Sequence, residues 1–185
     1  MLILASASPR RQELLRSANI AFHVQPADIK EDTLPNESAK ACAERLAHEK
    51  AKAIVRSRPN DAVLGADTVV VIDNQILNKP VDAADAARML RLLSGRTHQV
   101  ITGVCLAFRS QSEIASETTS VTMSEISEKE IAAYVATGEP MDKAGAYAIQ
   151  GMASRWIPRI EGDYSNVVGL PIARVYQMLQ RAGTI

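Results

Sequence analysis

The sequence predicts an α/β protein: a mixed, curved central sheet flanked by helices, with a cleft between two lobes of one fold. Through the first half of the chain, short apolar runs alternate with amphipathic, helix-patterned stretches. In the second half two long strand-like segments follow one another directly, which argues against a purely parallel sheet, because parallel neighbours need a crossover between them. No repeat, low-complexity tract or linker interrupts residues 1–185, so the chain reads as a single domain.

Leu2–Ala5 is the first strand. A serine-containing turn follows, and Pro9 takes the first position of a helix reaching Asn19, where its missing N–H costs nothing. A strand near Ala21–Gln25 leads to a long helix near Glu37–Arg58. Ala62–Ile72 is almost continuously apolar and reads as a buried strand closed by a turn at Asp73-Asn74-Gln75. Asp82 supplies the N-cap of a helix ending at Leu93. Thr97–Phe108 and Glu113–Ser124 are the two long strands, paired antiparallel. Ser127 and Glu130 have capping-box spacing and open a helix to about Ala136. Strand and loop punctuated by glycine run from Lys143 to Gly169, and Pro171 starts the C-terminal helix.

Composition narrows the function. Twenty-one basic residues balance 21 acidic ones, so no general electrostatic footprint favours nucleic acid or an anionic membrane, and any anion site must be local. Aromatic content of 4% leaves few platforms for stacking single strands. No apolar run spans a bilayer, and the N-terminal stretch is too short for a signal peptide, with its positive charges on the wrong side. Cys42 and Cys105 lack a paired spacing, which fits a reducing, cytoplasmic compartment. His23, His48 and His98 form no ligand pair, which disfavours zinc and leaves open a hard metal held by carboxylates. The absence of G-x-x-x-x-G-K-S/T, G-x-G-x-x-G and G-x-S-x-G motifs disfavours a P-loop kinase, a dinucleotide enzyme and an α/β-hydrolase.

Several charges stand where apolar residues belong. Arg10 and Arg11 fall in a first helical turn, whose partial positive charge disfavours cations unless an anion is bound there. Arg11 shares a face with Leu14, Leu15 and Ala18. Lys50 falls within the stripe Ala39, Cys42, Ala43, Leu46 and Ala53. Each of these cations either snorkels to water or points into an anion pocket. Asp67 interrupts the buried strand, either closing a turn or meeting a cation or metal. Lys79 follows that strand, and Glu31-Asp32 lie in an earlier loop.

Six segments in order, Ser6-Ala7-Ser8-Pro9-Arg10-Arg11, Gly65-Ala66-Asp67-Thr68, Asn78-Lys79-Pro80, Ser94-Gly95-Arg96-Thr97-His98, Lys143 to Gly151 and Asn166 to Pro171, resemble the Maf family of nucleoside triphosphate pyrophosphatases. The resemblance implies a fold like that of Maf and inosine triphosphate pyrophosphatase, and a cytoplasmic, homodimeric enzyme that splits a nucleotide between its α- and β-phosphates. A divalent cation, Mg²⁺ or Mn²⁺, is implied as well. Asp67 takes the role of proton acceptor, with Glu31 and Asp67 as metal ligands. Arg11, Lys50 and Lys79 match the family's basic positions and would hold phosphate, joined by Lys143 and by Ser6 and Ser8 at the helix start. Arg10, Thr68 and Gln150 resemble the subgroup acting on dTTP and UTP rather than the one acting on 7-methyl-GTP. Lys30 departs from the family, which often carries an acid there. A rival reading is a nucleotide-binding regulator of septum formation with no essential catalysis.

Overall fold

The computed structural model describes residues 1–109 and 111–185. The chain runs β1 (Leu2–Leu4), α1 (Pro9–Ser17), β2 (His23–Val24), α2 (Ala39–Val55), β3 (Ala62–Ile72), β4 (Gln75–Leu77), α3 (Ala83–Leu93), β5 (Thr97–Phe108), β6 (Gln111–Thr122), α4 (Glu128–Ala136), β7 (Arg159–Glu161), α5 (Tyr164–Val168) and α6 (Ile172–Arg181). Short 3-10 turns at Glu139–Asp142, Ala144–Ala146 and Met152–Trp156 fill the stretch between α4 and β7.

The helix starts follow the local chemistry read from the sequence. Ser8, Ser38, Asp82 and Ser127 each accept a backbone N–H from the first turn, and Glu130 completes the capping box with Ser127. Other expectations need correction. Asp73 and Asn74 both adopt positive φ, so the turn at Asp73-Asn74-Gln75 is a tight hairpin with Gln75 already inside β4, opposite Ile72. β6 starts at Gln111, opposite Phe108, two residues earlier than Glu113. The stretch from Lys143 to Gly169 holds 3-10 turns and the short helix α5 as well as strand and loop. Ala18 and Ala53 are exposed. The buried face of α2 keeps Cys42, Ala43, Leu46 and Lys50 of the expected stripe and takes Ala47 and Ala51 in place of Ala53, so that Ala43, Ala47 and Ala51 form a four-residue ridge laid along the sheet.

The seven strands of the described residues form one mixed sheet in the order β2-β1-β3-β5-β6-β7, with β4 also on β3. β2, β1 and β3 are parallel, and the remaining pairs are antiparallel. Period-2 alternation on β3 then assigns the two faces. Val63, Gly65, Asp67 and Val69 face α2. On the opposite face Leu64 and Ala66 join Leu15, Val175 and Met178 in one apolar cluster, whereas Val70 and Ile72 join Leu90, Ile131 and Tyr134 in another. Thr68 sits between the two clusters.

The cleft follows from the lengths of the strands. One edge of β3 pairs with β5 almost throughout. Its other edge meets β1 at Ala62–Leu64 and β4 at Val70–Ile72, and between them the strand has no partner strand among the described residues. The two lobes separate at that gap, and Asp67 and Thr68 lie within it.

Candidate active site

The approach of α2 to the sheet is set by two glycines. A methyl group on Gly65 would come within 2.1 Å of the Ala47 carbonyl oxygen, and one on Gly103 within 2.3 Å of the Ala43 carbonyl. Gly103 pairs with Asp67 across β3 and β5. The helix therefore rests directly on the strands, and Lys50, one turn beyond Ala47, lands on Asp67. Its Nζ lies 2.7 Å from Asp67 Oδ1 and 2.6 Å from Glu31 Oε1. Lys50 is 6% exposed, so it does not snorkel; it is a buried cation between two acids. Lys79, largely in solvent, adds a weaker contact of 3.5 Å to Glu31 Oε2. Burial alone would raise the Glu31 carboxyl, but Lys50 and then Lys79 outweigh it and hold the group below its ordinary value. Asp67 Oδ2 has no protein donor among the described residues.

Arg11 is the second buried cation, 9% exposed, and no carboxylate among the described residues reaches it. Its donors meet neutral acceptors instead. Nε donates to the Gly169 carbonyl at 2.8 Å, Nη1 to Ser6 Oγ and the Ala66 carbonyl at 3.0 Å each, and Nη2 to Thr68 Oγ1 at 3.1 Å. The Ala66 carbonyl lies beside the gap in β3, so the guanidinium serves a backbone group left without a strand there. Burial pulls the Arg11 pKa down, and the fields of Asp67 and Glu31 oppose that. Because Thr102 Oγ1 donates to the Asn166 carbonyl, its bond with Thr68 runs one way, from Arg11 through Thr68 and Thr102 to Asn166. Asn166 is fully buried, and its amide also bonds the Val100 carbonyl and the Thr102 N–H on β5.

All eleven residues singled out from the sequence, Ser6, Ser8, Arg10, Arg11, Glu31, Lys50, Asp67, Thr68, Lys79, Lys143 and Gln150, line one cavity of about 630 Å³. Their surroundings differ. Ser8 is the N-cap of α1, Ser6 supports Arg11, and Lys143 donates to the Glu139 carbonyl and to Asp142. Arg10 is half-buried and Gln150 exposed at the rim. The relay through Thr102 and Asn166 was not read from the sequence, although a lone Asn before Val167-Val168 was a weak signal of a buried polar group. Tyr147 was also missed as a lining residue; it is buried and bonded to the Nε2 of His98 at 2.7 Å.

Five cations against three carboxylates, Glu31, Asp67 and Asp142, suit a polyphosphate. Glu31 and Asp67 converge on one ammonium and are hard oxygen donors, the set that Mg²⁺ or Mn²⁺ takes when phosphate and water complete the shell. The described residues hold no cluster of three or more His, Cys, Asp or Glu that would bind a metal alone.

A family model described as Maf-like protein matches residues 1–182. A protein of Koribacter versatilis named dTTP/UTP pyrophosphatase is 61% identical over 184 residues, covering 100% of this chain and 95% of that one. A Symbiobacterium thermophilum protein of the same name is 52% identical, covering 98% and 94%. The solved Ham1 protein of Staphylococcus aureus aligns over 98% of both chains at a TM-score of 0.50 and 12% identity, a likeness of fold alone. The chain belongs to the Maf family.

Proposed function

We propose that this Maf-family protein hydrolyses dTTP and UTP between the α- and β-phosphates, giving the monophosphate and pyrophosphate. The observation that carries the reading is the meeting of Asp67, Lys50 and Glu31 beside buried Arg11, in a chain alike over its whole length to proteins named for that activity.

Asp67 is the general base. Its Oδ1 is fixed by Lys50, which leaves Oδ2 to accept a proton from water as the water oxygen bonds to the α-phosphorus and the bridging P–O bond breaks. Arg11, Lys50, Lys79 and Lys143 neutralise the pyrophosphate as it leaves. Ser6 and Ser8 present the α1 N-terminus to phosphate oxygens. Glu31 and Asp67 would hold Mg²⁺ or Mn²⁺, which when bound supplies charge to polarise the phosphates. Arg10, Thr68 and Gln150 select the base, with Thr68 acting through its bonds to Arg11 and Thr102.

We take the protein to work in the cytoplasm as a homodimer on free nucleotides, and residues 1–185 as one domain. Zero net charge and sparse aromatic residues support free nucleotides over nucleic acid, the unpaired cysteines support the compartment, and one sheet shared by both lobes supports the single domain. The homodimer rests on family membership. No helix among the described residues is long and apolar enough to cross a membrane. The test is a panel of UTP, dTTP, CTP, GTP and 7-methyl-GTP with and without Mg²⁺, scored by pyrophosphate. Release from UTP and dTTP is expected. Preference for a purine triphosphate, or binding with no release, overturns the reading.

A further inference from the structure

At its far wall the cavity is bounded by the turn Ala148–Gly151, closed by the Gly151 N–H on the Ala148 carbonyl at 3.1 Å. Both ends of this turn are tied to residues outside the cavity. The Ala148 N–H donates to Tyr134 Oη at 3.4 Å, and the Met152 N–H to Glu139 Oε1 at 3.1 Å. Tyr134 in turn donates its hydroxyl to Glu139 Oε1 at 2.8 Å. Tyr134 is fully buried and stands edge-on to Trp156, with ring centroids 5.3 Å apart, so the brace rises from the apolar core of one lobe. Glu139 also accepts Lys143 Nζ on its own carbonyl at 2.8 Å. At Gly151 a methyl group would fall 2.0 Å from Glu139 Oε1, so a larger residue there would push the Glu139 carboxylate out of the brace.

Held this way, the turn presents its apex. The backbone N–H groups of Ile149 and Gln150 have no acceptor among the described residues, and the Gln150 amide has no partner there either. Two free N–H donors beside an amide that both donates and accepts can offer donor, acceptor and donor in a row. Uracil and thymine carry the complement on one edge, acceptor, donor and acceptor. Cytosine replaces the first acceptor by an amino donor and the central N–H by a bare nitrogen, so the same apex opposes it. A methyl group at carbon 5 lies outside this edge, which is why one apex serves both UTP and dTTP.

We propose that Tyr134 and Glu139 are positioning residues that set base selectivity by fixing this apex, although neither touches the cavity. The inference rests on the pyrimidine triphosphatase reading above. Phosphate binding lies with Arg11, Lys50, Lys79 and Lys143; of these Lys143 alone meets the brace, on the main-chain carbonyl of Glu139, which side-chain variants keep, so the brace acts on discrimination and not on the phosphates.

The experiment compares wild type with Tyr134→Phe, Glu139→Ala and Glu139→Gln. Non-hydrolysable α,β-methylene UTP and CTP are titrated by calorimetry, inorganic tripolyphosphate serves as the base-free probe, and kcat and KM are measured for UTP and CTP. Phenylalanine keeps the ring in the core, so the fold is retained. For Tyr134→Phe and Glu139→Ala the UTP-to-CTP ratio of affinities should fall about tenfold, the scale of one directed hydrogen bond. The loss should appear in the KM for UTP with kcat kept, tripolyphosphate should bind as before, and Glu139→Gln should restore part of the ratio. An unchanged ratio in both variants, or a parallel loss of tripolyphosphate affinity, overturns the proposal. Absence of pyrophosphate release from wild type would overturn the activity, while the binding ratios would still decide the brace.

Discussion

The two walls of the cavity are held by opposite means. On one side Lys50 joins Asp67 to Glu31, Lys79 extends the chain of charges, and Arg45 grips Glu37 side-on while donating to the Asp32 carbonyl at 2.9 Å, next to Glu31. Across the cavity the brace of Tyr134 and Glu139 and the pair His98 and Tyr147 work mainly through hydrogen bonds to backbone and hydroxyl groups. On the ionic wall Lys50 already holds an oxygen of each of two acids, so a triphosphate that reaches it must exchange partners with them. The turn wall leaves donors unmatched until a base arrives. Exchange of charge suits chemistry that must turn over, and unmatched donors suit selection, because a wrong partner leaves them unpaired.

The sharpest way to break this division is at Asp67. Asp67→Asn should lower kcat by about 10²–10⁴-fold, the range of a lost general base, with the fold intact because Lys50 keeps Glu31 as a partner. Pyrophosphate release near the wild-type rate would remove Asp67 from the chemistry. Gly103→Ala attacks the same wall from beneath. Its methyl group collides with the Ala43 backbone and lifts α2 with Lys50, costing about 1–3 kcal/mol in urea unfolding and lowering kcat together with stability.

Acid should separate the walls in the reverse order. Burial holds His98 neutral with its pKa down at about 4, below the ordinary 6.5. The unfolded chain therefore takes up a proton first, and stability is lost as pH falls from about 6.5 to about 4, by up to about 3 kcal/mol. Arg45 holds the Glu37 carboxyl down to about 2 from an ordinary 4.5, so its contribution is present above that ordinary value and disappears only as pH falls on toward about 2. Urea midpoints at pH 7 and pH 4.5 should drop for wild type and much less for His98→Asn; equal slopes would assign the acid sensitivity elsewhere. The smallest effect is expected at Lys79, which is 61% exposed. Lys79→Ala should leave stability within about 0.5 kcal/mol while raising the KM for UTP, and added salt should shrink that difference.

The same division explains what was legible in the sequence. Arg11, Lys50 and Asp67 announce themselves because a charge inside an apolar period breaks a pattern, and the structure brings all three into one cavity. Glu31 and Lys79 stand out only as charges in loops and take their roles from family resemblance, and Lys143 and Gln150 break no local pattern and rest on the resemblance alone. Tyr134, Glu139, Thr102 and Asn166 are neutral or surface-like in sequence, and their partners lie far along the chain or in irregular turns. Even for Arg11, its contact with Gly169 spans 158 positions, which no periodicity encodes. The turn at Asp73–Gln75 is legible, but strand β4 beyond it and helix α5 are not: each is too short to build a period, and long-range packing decides it.

The glycine seat under α2 also fixes the mechanics of the molecule. A helix whose carbonyls rest on two strands has no slack in which to slide, so α2 and β3 form an anvil that carries Lys50 and Asp67. The segment bearing Glu31, from one lobe, and the braced turn bearing Gln150, from the other, stand around that anvil, so the general base Asp67 keeps its place beneath an incoming α-phosphate.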